Sequence, residues 1–167
     1  DALTGVGNKA SYIKKVSEIN KQLEENAVDF AIVMVDMNSL KQINDEYGHA
    51  KGDEYIRHAA RSLRESLTGA YAIYRMGGDE FCAIYIDTPT EQVKVEIAKL
   101  RKVFGNSKAD AGIRNIADRP FSISIGYVTA LRGEDISETA VRADTMMMEE
   151  KRKYYQINGI DRRRVSR

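Results

Sequence analysis

Two adjacent carboxylates, Asp79 and Glu80, directly follow a Gly-Gly pair and lie between two segments with strand-like composition, 70–74 and 81–86. We predict a hairpin with the glycines in its turn, because glycine adopts positive φ without steric cost. The acidic pair would then stand at the open end of a sheet. An ordinary turn does not need two negative charges, whereas a metal-bound phosphate would. The pattern therefore indicates phosphate chemistry at this hairpin.

A third carboxylate, Asp36, ends the apolar segment 30–35, which is short and partly β-branched and predicts a buried central strand. Such a residue is held rigidly and suits a metal ion, or alternatively caps the following helix. If the hairpin neighbours this strand, Asp36 and Asp79 face each other. Two close carboxylates repel unless a cation or a proton lies between them. Mg²⁺ completed by phosphate oxygens is a standard arrangement for nucleotide chemistry.

Polar residues after this strand could bind the rest of a nucleotide. Backbone N–H groups are free where the chain leaves Asp36 and enters a helix, and they can bind an anion. Lys41 adds a charge there, or is simply solvated. Asn44 and Asp53 suit guanine, because aspartate accepts from its N–H edge and asparagine both donates and accepts. Alternatively these two are a turn residue and a helix N-cap, and His49 is equally compatible with a structural role.

The elements that must position these groups follow from hydrophobic periodicity. Strands joined by crossover helices predict one α/β (α+β) domain with a ferredoxin-like layout. We leave 105–119 as a loop and 162–164 as a frayed basic tail. The predicted helices are 8–25, 38–46, 52–67, 90–104 and 136–155, and the predicted strands are 30–35, 70–74, 81–86 and 121–128.

Composition bounds the class of protein. The 167 residues fit one domain, which we place at 1–158, followed by a basic C-terminal tail at 159–167. A net charge of +1 favours neither nucleic acid nor direct membrane contact as a partner. Cys82 is the single cysteine, which excludes an internal disulfide. The methionine run 146–148 is expected to pack in the core through its inward-facing members.

Several ordered motifs carry a family resemblance. Residues 77–81 read Gly-Gly-Asp-Glu-Phe, and 1–9 open with Asp-Ala-Leu-Thr-Gly followed by Asn-Lys. The stretch 35–53 contains Asp36, Lys41-Gln42-Ile43-Asn44-Asp45, Gly48-His49 and Gly52-Asp53, and later come Ser124-Ile125-Gly126, Ala143-Asp144 and Lys151. Over nearly its whole length the chain resembles the GGDEF domain, or diguanylate cyclase, family.

The resemblance implies a polymerase-palm-like central mixed sheet surrounded by helices, and a role for each matched residue. The metal, Mg²⁺ or Mn²⁺, would be bound by Asp36, Asp79 and the backbone carbonyl of Met37. Guanine would be recognised by Asn44 and Asp53 with His49 near the substrate, the triphosphate would be bound by Lys41, Lys151 and the amides after Asp36, and Asp79 would be the base with Glu80 beside it.

The implied reaction is the condensation of two GTP into cyclic di-GMP and two pyrophosphates, by two domains that meet with two-fold symmetry. The chain starts at Asp1 instead of Met, so an upstream sensory domain is expected. The expected location is the cytoplasm, or the cytoplasmic portion of a longer, membrane-attached protein. The alternative is a weak or inactive module that binds GTP or a cyclic dinucleotide and regulates a partner.

The chain departs from the family pattern in four places. Asn38 replaces the second acidic residue after the strand, and Leu40 replaces an aromatic residue. Tyr155 stands where many members place a phosphate-binding arginine, which weakens triphosphate binding unless Arg152 or Lys153 supplies the charge. The product-inhibition motif Arg-x-x-Asp would fall at Thr68 and Tyr71, and it is absent.

Overall fold

A computed structural model describes residues 1–25, 29–105, 121–130 and 134–159. Within these ranges the chain forms five helices and five strands. The helices are α1 (Lys9–Glu25), α2 (Leu40–Tyr47), α3 (His49–Ser66), α4 (Thr90–Gly105) and α5 (Ile136–Ile157), and the strands are β1 (Gly7–Asn8), β2 (Phe30–Met37), β3 (Ala72–Arg75), β4 (Glu80–Ile86) and β5 (Ile123–Thr129). Most of the predicted loop at 105–119 and the whole tail at 162–164 lie outside the described residues.

The strands form one mixed sheet in the order β1-β3-β4-β2-β5. Strand β2 pairs antiparallel with both β4 and β5, and β3 pairs antiparallel with β4. The short β1 adds a parallel pairing beside β3. The order of β2 to β5 is that of two interlocked strand–helix–strand units, so the predicted ferredoxin-like α+β layout is confirmed.

Helices cover both faces of the sheet and create two hydrophobic cores. One core joins the sheet to α3 and α4, and the other joins it to α1 and α5. The side chains of β2 alternate between them: Val33 and Val35 enter the first, whereas Ile32 and Met34 enter the second. Because β2 is buried on both faces, its sequence is continuously apolar instead of alternating.

Some local details differ from the predictions, beyond shifts of one or two residues at the ends of elements. Helix α3 begins at His49 instead of residue 52, because Gly48, with φ of 82°, turns the chain directly from α2 into α3. The two-residue β1 was not expected, since so short a strand has no periodicity. The hydrophobic periodicity of 8–25 predicts Ile13 on the same buried face as Val16 and Ile19, but Ile13 is 59% exposed, while Val16 and Ile19 are buried.

No helix in the described ranges combines the length and the apolar character that a membrane span requires.

Candidate active site

The end of β2 and the start of β4 bring three carboxylates together. Asp36 is paired in register with Glu80, and Asp79 immediately precedes that residue. The backbone N–H of Met37 donates to the carbonyl of Asp79 at 2.9 Å, which fixes the hairpin tip against the end of β2. One oxygen from each of Asp36, Asp79 and Glu80 lies within 4.8 Å of the others. The predicted juxtaposition across the sheet is therefore present.

Asp36 is a fully buried carboxylate. Burial raises its pKa to about 7; the hydrogen bond from Lys151 opposes that rise and the charge of Asp79 adds to it. Among the described residues, no group donates a hydrogen bond to Asp36 Oδ1, although this atom is buried. A buried oxygen without a partner is costly unless something binds it. Since Asp36 lies inside β2, the alternative role as a helix N-cap is wrong.

Lys151, on α5, reaches this cluster. Its ammonium group forms an ion pair with Asp36 Oδ2 and lies 3.8 Å from Asp79 Oδ2. The lysine side chain is 12% exposed, so the pairing is shielded from solvent. A lysine that the resemblance assigns to the triphosphate thus contacts two of the proposed metal ligands.

The turn that carries Asp79 is held by an arginine side chain. Neither Gly77 nor Gly78 has positive φ, so the conformational reason given for the glycines is wrong although the hairpin itself is confirmed. Instead, Arg75 Nε donates to the Gly77 carbonyl at 3.1 Å and Arg75 Nη2 to the Gly78 carbonyl at 2.9 Å. The same guanidinium forms an ion pair with Asp1 at 3.3 Å. The sequence interpretation did not single out Arg75.

The anion cradle after Asp36 is smaller than predicted. The N–H of Met37 already binds the Asp79 carbonyl, and that of Asn38 donates to the Ser122 carbonyl. The next N–H, of Ser39, donates to the hydroxyl of Tyr155 at 3.3 Å. Ser39 itself has φ of 65° immediately before α2 begins.

Lys41 is an exposed residue in the first turn of α2.

Asn38 has a structural role that the sequence interpretation missed. It is 2% exposed, its amide donates to Ser122 Oγ at 3.1 Å, and its carbonyl oxygen accepts from Ser124 Oγ at 2.9 Å. These bonds tie the end of β2 to β5.

The candidate guanine ligands lie on two packed helices. Asn44 is in α2, and its Oδ1 would be 1.8 Å from a Cβ added to Gly52, so its side chain lies directly on the backbone of α3. Asp53 follows Gly52 inside α3, and exposed His49 is the first residue of that helix. Because Gly48 occupies the N-cap position, the alternative that made Asn44 a turn residue and Asp53 a cap is wrong.

Helix α5 is seated so that Lys151 and Tyr155, four residues apart, lie on one face. A Cβ added to Gly126 would be 1.8 Å from the carbonyl oxygen of Ala143, so this glycine permits the close approach of β5 and α5. Met147 is fully buried and Met146 is 49% exposed, as expected for a methionine run with one inward-facing side.

The helix is also tied through Glu150. Its carboxylate accepts from both Nη atoms of Arg101 on α4, at 2.6 and 2.7 Å, and from the Ile125 N–H at 3.1 Å. Lys151 is therefore presented to the carboxylates from a backbone held on both sides. Lys153 is exposed and points away from the Lys151 face by helical spacing, so it is poorly placed to supply the missing charge.

Thr68 and Tyr71, where the product-inhibition motif would fall, make other contacts in this structure. Thr68 Oγ1 and the Gly69 N–H both donate to the carboxylate of Glu96, which also accepts from Tyr85. This buried carboxylate binds the chain just after α3. Tyr71 is 55% exposed and lies under the ammonium of Lys15.

Comparison with known proteins agrees with this geometry. A sequence model described as diguanylate cyclase, GGDEF domain, matches residues 1–156. Relatives from Staphylococcus saprophyticus and Staphylococcus epidermidis, named only as uncharacterized membrane proteins, are 29% and 26% identical over 129 residues. These alignments include 77% of this chain but 36% of each relative, so the chain spans about a third of their length.

Solved structures show the same fold. The GGDEF domain of DgcB from Caulobacter crescentus, in complex with c-di-GMP, superimposes with a TM-score of 0.80 at 24% identity, covering 92% of this chain and 90% of that one. Diguanylate cyclase SiaD from Pseudomonas aeruginosa, in complex with its activator SiaC, gives a TM-score of 0.75 at 26% identity over 92% of this chain and 58% of that one. A family match that begins at Asp1 and runs through α5, on a fold that these domains share, shows that the chain belongs to the GGDEF domain family.

Proposed function

We propose that this domain is one half-site of a diguanylate cyclase, which condenses two GTP into cyclic di-GMP and two pyrophosphates. The observation that carries the proposal is the buried Asp36 next to Asp79 and Glu80, with an Oδ1 that has no hydrogen-bond partner in the described part of the chain. A module that only binds a neutral partner has no need for three convergent carboxylates. A metal–nucleotide complex does, because its cation requires anionic oxygen ligands.

The donor set fits Mg²⁺, with Mn²⁺ as an alternative. Hard oxygen ligands from one or two carboxylates, completed by phosphates, are what Mg²⁺ prefers. Asp36, Asp79 and the carbonyl of Met37 would hold the ion. When bound, it would supply Lewis-acid stabilisation of charge at the α-phosphate and would acidify the attacking hydroxyl.

The protein side chains would position GTP around these ligands. Asp53 would accept from the N1–H and amine of guanine, and Asn44 would bind its remaining edge, with His49 near the nucleotide. Lys41, from the first turn of α2, and Lys151, from α5, would bind the triphosphate as point charges. Asn44 lies against the backbone at Gly52, which would place both guanine ligands in one groove between α2 and α3.

Asp79 would accept the proton of the 3′-hydroxyl, with Glu80 beside it as a second carboxylate. The hydroxyl oxygen then forms a bond to the α-phosphorus of the other GTP, and the bond to pyrophosphate breaks. Two such steps close the ring. Since one domain holds one GTP, two copies must face each other across a two-fold axis.

A second candidate function is a GTP- or cyclic-dinucleotide-binding module with little or no catalysis. Tyr155 favours it, because a neutral phenol in contact with the Ser39 amide replaces a phosphate-binding cation. The solved GGDEF domain of DgcB is itself in complex with c-di-GMP. The two candidates differ in one measurable property, the conversion of GTP.

The experiment uses the domain fused to a dimerising coiled coil and incubated with GTP and Mg²⁺, with product identified by mass spectrometry. Cyclic di-GMP should form, and Asp36→Ala or Asp79→Ala should abolish it while circular dichroism stays unchanged. Glu91→Ala removes an exposed carboxylate from α4 and serves as the matched control with wild-type turnover. GTP binding without conversion would support the module instead.

Control of activity would come from outside the domain. We propose an upstream sensory segment that enforces dimerisation, and a cytoplasmic position either alone or as part of a longer membrane-attached protein. The curated relatives carry about two thirds of their length beyond the matched region and are named as membrane proteins. SiaD is found in complex with a protein activator, which is another form of external control.

A further inference from the structure

Lys151 holds an unusual position for a phosphate ligand. Its ammonium forms an ion pair with Asp36 Oδ2 and lies 3.8 Å from Asp79 Oδ2, so that one cation serves two of the proposed metal ligands. The Asp36 side chain is fully buried and that of Lys151 is 12% exposed. Charges in so dry a setting interact more strongly than exposed pairs do.

When Asp36 and Asp79 are both ionised, the carboxylate pair needs a cation, with or without a bound metal. Asp36, Asp79 and Glu80 place their oxygens within 4.8 Å of one another, and like charges at that distance destabilise the fold unless they are neutralised. Asp36 Oδ1 has no hydrogen-bond partner among the described residues, so a ligand has an open coordination position beside the oxygen that Lys151 uses.

We propose that Lys151 is the built-in counter-cation of the Asp36–Asp79 pair, and that a divalent ion binds by displacing its ammonium from these carboxylates. The inference rests on the metal site of the proposed function. A divalent ion held by both aspartates would lie close to the ammonium, and the two positive charges would repel. The lysine therefore leaves the cluster when the metal enters.

The displaced ammonium of Lys151 would reach its second proposed partner, the triphosphate, without movement of the helix. The backbone of α5 is fixed by the Gly126–Ala143 approach and by the bonds of Glu150, so the exchange needs only rotation about the lysine side-chain bonds. The freed charge would then be available to the triphosphate. Lys151 would thus bind phosphate only after the metal has entered, which gives metal and nucleotide an order of binding.

The test uses the nucleotide-free domain at pH 8 and compares Lys151→Gln with Lys153→Gln, which removes an exposed lysine from the same helix. Without metal, Lys151→Gln should lower the urea midpoint of unfolding and Lys153→Gln should not. Calorimetric titration with Mg²⁺ and Mn²⁺ should show tighter metal binding to Lys151→Gln, by about tenfold, because the competing cation is gone. Metal should also raise its midpoint more than that of the wild type.

A double variant keeps the test informative if Lys151→Gln alone does not fold. In an Asp36→Asn background the same Lys151→Gln change should cost little stability, and recovery of folded protein only in the double variant would support the same conclusion. Unchanged or weaker metal binding to Lys151→Gln, with normal binding to the wild type, would overturn this inference but leave the metal site standing. Absence of metal binding in every variant would overturn both.

Discussion

Asp36 combines burial with a proposed role, metal binding, that requires a charged carboxylate. Its pKa is raised from 3.8 to about 7, mainly by burial. The folded protein therefore holds a proton on Asp36 between these values while the unfolded chain does not, so in the absence of metal this group contributes stability at low pH that is lost as pH rises through about 7.

The proposed metal binding would have the opposite pH dependence, because the ion needs the ionised carboxylate. We predict that the affinity for Mg²⁺ rises by about tenfold between pH 6 and pH 8, as the proton is removed from Asp36. Calorimetric titration at the two pH values measures it. In Asp36→Asn the increase should disappear, and a wild-type affinity that does not change with pH would contradict the assignment of Asp36 as a ligand.

Tyr155 offers a test of the proposed binding site for the triphosphate. Tyr155→Arg places a charged fork beside the Ser39 amide and should tighten GTP binding by about tenfold, since hydrogen bonds from a charged donor are the stronger ones. Tyr155→Phe removes only the hydroxyl contact with Ser39 and should change the GTP affinity by less than about threefold. A large loss of affinity in Tyr155→Phe would mean that the phenol itself binds the nucleotide.

Asp53 decides base selection in the proposed site. Asp53→Ala should lower GTP affinity by about 10- to 100-fold and remove the preference for GTP over ATP, because the guanine donor edge loses its acceptor. Glu54→Ala, which removes the neighbouring exposed carboxylate paired with Lys51, is the control. Equal affinities of the wild-type domain for GTP and ATP would remove Asn44 and Asp53 from the site.

At the scale of elements, the packing of α5 against β5 positions Lys151 and Tyr155. Gly126→Ala would put a Cβ 1.8 Å from the Ala143 carbonyl oxygen, so the helix must move. We predict a loss of about 2 kcal/mol or more in the free energy of unfolding, measured by urea denaturation. Gly78→Ala meets no atom within 4 Å and should stay within about 0.5 kcal/mol of the wild type.

Sequence reasoning predicts the elements with strong local signals. The helix after Pro89, predicted as 90–104, is α4, and the apolar segment 30–35 lies within β2. The start of α3 escapes prediction because it depends on the backbone angle of Gly48, which has no hydrophobic pattern. The exposure of Ile13 depends on which residues of α1 contact the sheet, and tertiary packing determines that.

The same limit applies to the site. The approach of Asp36 and Asp79 is predictable on the condition that the hairpin lies beside the strand that ends at Asp36, and the structure meets that condition. The pairing of Lys151 with Asp36 is not predictable. A lysine on a polar helix face gives the same sequence pattern whether it contacts solvent or a carboxylate 115 residues away. The hydrogen bonds from Arg75 to the carbonyls of the turn cannot be predicted from the sequence for the same reason.

At the scale of the whole molecule, the proposed reaction needs two copies. We predict that the isolated domain is mostly monomeric in light scattering and turns over GTP slowly, with a specific rate that rises with protein concentration. Fusion to a dimerising coiled coil should raise the rate and remove this concentration dependence, because the second site becomes intramolecular. A monomer whose specific rate is independent of concentration would contradict the two-fold mechanism.

The borders of the sheet limit how two copies can meet. In the part of the sheet that the structure describes, one border is β1, which has only two residues. The other is β5, where the Ile125 N–H is already bound by Glu150. Short or occupied edge strands prevent chains from joining by strand addition, the usual route to aggregation. Two copies brought together by a partner are therefore steered away from edge-to-edge pairing, which leaves the carboxylate end of the sheet free to face its counterpart.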